Sequence, residues 1–116
     1  MDDPETHFVI AHCGYPWFLD AAEVVYKNAN VWADLSGIFV GDAVAFAALA
    51  AQGRLHRTVE RLREALEYAD RPDRFRYGSD WPLAPMAAYR AFLAPLLDDP
   101  ARRALRAANA RALFRL

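Results

Sequence analysis

Two rhythms of apolar residues alternate along the chain. Short unbroken runs, Phe8-Val9-Ile10-Ala11 and Val31-Trp32-Ala33, suit strands buried on both faces, as in parallel sheets. Between such runs, apolar positions recur at helical spacing. The clearest set is Leu55, Val59, Leu62, Leu66 and Ala69, which share one face of a helix. The first run ends at His12-Cys13-Gly14. A helix over Ala21–Lys27 should follow, capped by Asp20 with Glu23 as capping-box partner and closed at Asn28. A second strand over Val31–Ser36 stops at Gly37. Asp42 then caps an Ala-rich helix over Ala43–Gln52, with Gly53 just past its end. A short third strand, Arg74–Gly78, leads into Ser79-Asp80-Trp81-Pro82. Pro85 starts a helix to about Leu93 that Pro95 should end or kink, and Asp99 caps a last helix with Pro100 at its first position.

The predicted order is β-α-β-α-α-β-α-α. Strands separated by helices pair in parallel, because a parallel crossover needs a dozen or more residues. The expectation is therefore an α/β fold with three parallel strands and helices on the outer face. With 116 residues, the chain is too short for a closed barrel of alternating strands and helices, which needs roughly 200.

Composition narrows the function classes. At 55% hydrophobic and 13% aromatic, the chain has the material for one core. A net charge of −1, from 14 basic and 15 acidic residues, lacks the basic excess that nucleic-acid binding requires. Arg102, Arg103, Arg106, Arg111 and Arg115 read as the solvated face of a tail helix whose apolar stripe is Leu105, Ala108, Ala112 and Leu113. One cysteine, Cys13, allows no internal disulfide. The acidic N-terminus is no signal peptide, and the longest apolar run is too short to span a bilayer. A cytoplasmic protein with neither a membrane nor a nucleic-acid partner is expected.

Chemistry in parallel α/β proteins gathers where strands end. Here the strand ends carry His12 and Cys13, then Asp34 and Ser36, then Ser79 and Asp80. Side by side in chain order, the strands would bring His12 and Asp80 about 9–10 Å apart in backbone, close enough for an imidazole and a carboxylate to share a metal or a substrate. One His and one Asp are still short of a metal site, and residue types alone favour a satisfied core histidine at position 12. Ser36 and Asp34 suit hydrogen bonding better than catalysis, and Ser79 suits the turn. Cys13 should point away from His12 into the helix layer as a small hydrophobe. His7 and His56 read as solvated.

Four segments together resemble a known family. Val9-Ile10-Ala11-His12-Cys13-Gly14 resembles the strand-six AHxG element of amidohydrolase-related, aminocarboxymuconate-semialdehyde-decarboxylase-like proteins. Asn30-Val31-Trp32-Ala33-Asp34-Leu35-Ser36-Gly37 resembles their strand-seven element. Asp73-Arg74-Phe75-Arg76-Tyr77-Gly78-Ser79-Asp80-Trp81-Pro82 resembles the strand-eight DRxxFGSDxP element, and Asn109-Ala110-Arg111-Ala112-Leu113-Phe114 the closing helix. The resemblance implies part of a TIM (β/α)8 barrel, equivalent to strands 6–8. It implies a divalent metal, zinc first, with Asp80 binding the metal or activating its water and His12 acting as acid/base or ligand. Trp81, with Ser36, would shape the substrate side.

The implied reactions on a small-molecule substrate are hydrolysis of C–N or C–O bonds or non-oxidative decarboxylation. The family's strand-one His-x-His pair and strand-five His have no counterpart here. The chain alone is therefore expected to be inactive. Its open sheet edges should pair with another copy or with a missing barrel half.

Overall fold

The structure, a computed structural model, describes residues 6–78 and 83–105. Three strands, β1 (Phe8–Ile10), β2 (Val31–Asp34) and β3 (Phe75–Arg76), form one parallel sheet in that spatial order. Phe8 pairs with Val31 and Ile10 with Ala33, while Ala33 pairs with Phe75 and Asp34 with Arg76. Helix α1 (Phe18–Lys27) joins β1 to β2, and α2 (Ala43–Ala51) and α3 (Arg54–Ala69) join β2 to β3. Helix α4 (Met86–Leu97) follows β3. The expected α/β order and parallel pairing are both present. The chain coils as a 3-10 turn over Pro100–Leu105, where the pattern predicts the start of a last helix. The remainder of that tail, with its apolar stripe, lies outside the described residues.

Side-chain alternation gives the sheet two faces. Val31, Ala33, Leu35 and Phe75 are buried in a core shared with Ala22 and Val25 of α1, Val59, Leu62 and Leu66 of α3, and Phe92 and Leu93 of α4. Register puts Val9, Trp32, Asp34 and Arg76 on the opposite face. The predicted stripe of α3 is buried from Val59 to Ala69, with Leu55 half-buried at its start. At the start of α2, Asp42 accepts a hydrogen bond from the Ala45 backbone at 2.9 Å, as its position in the sequence suggests.

Some local expectations are corrected. Asp20 does not cap α1: the helix starts at Phe18, and Asp20 sits in its first turn. Glu23 instead pairs with Lys27 at 2.8 Å and accepts a hydrogen bond from the Tyr68 hydroxyl of α3. Pro95 does not end α4, which runs on to Leu97. A proline inside a helix costs about 3 kcal/mol. Here Phe92, Leu93, Leu96 and Leu97 are buried on both sides of it, and their packing offsets that loss. Arg102 is not on a solvated face: its side chain is mostly buried and meets Asp99 at 2.6 Å and Glu67 at 3.7 Å.

A further correction concerns His12. The first strand stops at Ile10, and His12, Cys13 and Gly14 form a turn with φ of 57°, 49° and 69°. Their side chains are therefore not placed by strand alternation. A left-handed backbone costs a non-glycine residue roughly 1–2 kcal/mol, so tertiary bonds must hold this turn. Gly14 fits for a second reason: a Cβ there would meet the Ala21 Cβ of α1 at 3.0 Å.

Candidate active site

Asp34, at the carboxyl end of β2, organises the rim of the sheet. Its Oδ1 accepts hydrogen bonds from the His12 backbone N–H at 2.9 Å, the Ser36 hydroxyl at 2.8 Å and the Ser36 backbone N–H at 3.3 Å. Its Oδ2 faces the Arg76 guanidinium of β3 at 3.5 Å. One carboxylate thus ties together the ends of all three strands. The bond to His12 also explains how a left-handed residue persists there.

The His12 imidazole is half-buried, and its Nδ1 donates to the Ser36 carbonyl at 2.7 Å. Ser36 therefore touches both functional neighbours, through its hydroxyl to Asp34 and its carbonyl to His12. This is the hydrogen-bonding role its residue type suggests. Past β3, Gly78 comes against the same place: a Cβ on it would lie 3.3 Å from the Ser36 Cβ. Further along, the Leu83 carbonyl accepts the Gly41 N–H at 2.8 Å. Asp80 and Trp81 fall between Gly78 and Leu83 in the sequence, outside the described residues.

Sequence reasoning missed the aromatic and basic side chains on this face. Trp32 is buried outside the main core, its indole N–H donating to the His7 Nδ1 at 3.1 Å. The Arg74 guanidinium lies over its ring, 5.2 Å from the centroid. His7 is exposed, as expected, yet serves as this acceptor. The signal was present: Arg74, Arg76 and Trp32 alternate with Phe75, Val31 and Ala33, which belong to the core.

Cys13 is fully buried, as expected of a small hydrophobe. Burial, reinforced by the negative charge of Asp34, pushes its thiol up to about 12. A thiol with a raised folded value adds stability in full below its unfolded value, near 8.5, and loses it as pH rises towards 12. The sign follows because the unfolded chain releases the proton first. Between about pH 9 and 12, the protein should lose up to about 1.4 kcal/mol per pH unit more than Cys13→Ala does. Urea denaturation of both proteins at pH 8 and at about pH 10.5 checks this, and parallel losses would show that the thiol is open to water.

A groove of about 460 Å³ lies between α2, α3 and α4, lined by apolar side chains and His56. None of His12, Asp34, Ser36 or Arg76 lines it, so the rim and the groove are separate features.

Comparison with known proteins identifies the family. The family model described as amidohydrolase covers residues 2–116. The chain belongs to the amidohydrolase family. Among solved structures, it is similar to a crystal structure of an amidohydrolase from Burkholderia multivorans with bound HEPES, at a TM-score of 0.58 and 19% identity. The match covers 95% of this chain and 45% of that one, so the chain spans less than half the length of the structure it resembles. At that identity the likeness establishes the fold, three parallel strands and their helices as a part of an amidohydrolase barrel. No curated protein matches significantly.

Membership in the amidohydrolase family implies a divalent metal, and the rim can be tested for it. Among the described residues, no three His, Cys, Asp or Glu side chains converge as a cation would need. Oδ1 of Asp34 already takes three donors and Oδ2 faces Arg76, while Cys13 is buried as a thiol. His12 Nε2 is the donor the rim offers, and one donor is not a site. No described helix is long and apolar enough to cross a membrane.

Proposed function

We propose that this chain forms one wall of a hydrolase active site, with His12 moving a proton and Asp80 binding or orienting the attacking water. The observation that carries the reading is the Asp34 hub, which holds His12 at the strand ends beside the point where β3 leaves the sheet. Two residues beyond Gly78, Asp80 is held by covalent geometry within about 7 Å of Gly78 in backbone. An imidazole and a carboxylate brought to one rim suit general acid–base chemistry on a C–N or C–O bond. A divalent metal, zinc first, would lower the pKa of a bound water. It would take its ligands largely from Asp80 and from chain beyond the described residues.

Trp81 and Ser36 would border a small-molecule substrate. Decarboxylation by the same site is the related alternative within the family.

A second observation concerns completeness. Among the described residues, the outer edge of β1 pairs with no further strand. Val9 is 37% exposed on the face that a barrel would enclose. We propose that further strands, from a longer chain or another copy, complete the wall.

One experiment tests both statements. The 116-residue chain alone should show no turnover, and a complete barrel containing it should hydrolyse substrate. In the complete barrel, Asp80→Asn should abolish turnover, and His12→Gln should lower kcat by about 10²–10⁴, with both variants folded by circular dichroism. Full activity in Asp80→Asn would remove that carboxylate from the mechanism.

A further inference from the structure

We infer that Asp34 and Ser36 are positioning residues that hold His12 as its Nδ1–H tautomer, leaving Nε2 as the nitrogen that acts. The inference rests on the proposed role of His12 and adds which nitrogen works and what selects it. A carbonyl oxygen has no proton to give, so the 2.7 Å contact from Nδ1 to the Ser36 carbonyl is bonding only when Nδ1 carries the hydrogen. In the neutral ring, Nε2 then bears the lone pair. It is the atom able to accept a proton from water or substrate, or to meet a cation.

The selection is built by a chain of contacts rather than by one. Asp34 Oδ1 holds the His12 backbone on one side and the Ser36 hydroxyl and backbone on the other. It therefore sets the distance between the ring and the carbonyl that reads it. The left-handed φ of His12 is part of the same device, since the residue turns back towards β2 instead of continuing along β1. Gly78, packed against Ser36, backs that carbonyl-bearing segment from the other side. A free neutral imidazole favours the opposite tautomer, with the hydrogen on Nε2, so the site inverts the intrinsic preference.

Nitrogen-15 NMR of the uniformly labelled chain reads the tautomer directly, above the pH at which imidazoles are protonated. His12 should show a protonated-type Nδ1 and an unprotonated-type Nε2, while exposed His56 shows the reverse. Asp34→Asn keeps an oxygen acceptor and should preserve the His12 pattern. Asp34→Ala should lower the Nδ1–H to Nε2–H ratio by about five- to tenfold, the worth of one hydrogen bond.

A wild-type His12 with its hydrogen on Nε2 overturns the inference without any variant. So does a tautomer that Asp34→Ala leaves unchanged in a folded protein. Undiminished turnover of His12→Gln in the complete barrel would instead defeat the proposed function and leave the tautomer result standing.

Discussion

Replacing Asp34 by alanine should lower the stability of the chain by about 2–4 kcal/mol. The carboxylate is mostly buried, its side chain 13% exposed, and four donors converge on it. Truncation leaves the His12 N–H, the Ser36 N–H and hydroxyl, and the Arg76 guanidinium without that acceptor. The loss of the Arg76 ion pair adds to this, because breaking a partly buried pair from one side costs more than breaking an exposed one. The left-handed turn at His12 also loses the bond that holds it, so its backbone cost is no longer offset. Asp34→Asn should recover more than half of the loss, since the amide oxygen still accepts from His12 and Ser36. Urea denaturation of the three proteins measures this. A loss below about 0.5 kcal/mol for Asp34→Ala, the scale of surface substitutions, would mean that water replaces the carboxylate at no cost.

Tyr89→Phe should be nearly as damaging, at about 2–4 kcal/mol, although it removes a single oxygen. Tyr89 lies fully buried in α4, and its hydroxyl donates to the Leu35 carbonyl and accepts from the Ile38 N–H at 3.1 Å. Phenylalanine keeps the ring packing against Phe46 and Phe92 but strands two buried backbone groups. Each such group costs about 1–3 kcal/mol when left without a partner. The residues concerned carry the chain from β2 past Ser36 towards the loop that holds Leu83, so the loss also loosens the rim. Amide exchange at Ile38 is the local readout. An Ile38 amide as protected in Tyr89→Phe as in the wild type would show that the hydroxyl does not hold this segment.

Much of the fold was legible in the sequence, because its signals are local. The run Phe8-Val9-Ile10, the stripe from Val59 to Ala69 and the Asp42 cap each depend on neighbours within a few turns of chain. Parallel order then followed from the length of the connections. What was not legible is set by contacts across long separations. Nothing near His12 announces a positive φ, which depends on a carboxylate 22 residues away. Likewise, Pro95 reads as a helix end until the burial of Leu96 and Leu97 is known.

At the site, the sequence pointed to His12 and to hydrogen-bonding roles for Ser36 and Asp34. The number of donors that Asp34 gathers was hidden, because a strand-end carboxylate looks the same whether it has one donor or four. Arg76 was hidden for the same reason. Its meaning comes from its register beside Asp34. Asp80 and Trp81 remain proposals carried by the family resemblance.

The two crossovers of the sheet differ in length, and that difference orders the folding reaction. Residues 11–30 bridge β1 and β2, whereas residues 35–74 bridge β2 and β3, a span twice as long. Each doubling of a closing loop adds about 0.6 kcal/mol of entropic cost, and non-local pairings are slow to find one another. The β1–α1–β2 crossover unit therefore closes early and carries the imidazole and its carboxylate anchor with it. The last strand then docks onto that preformed edge, setting Arg76 beside an Asp34 already in place.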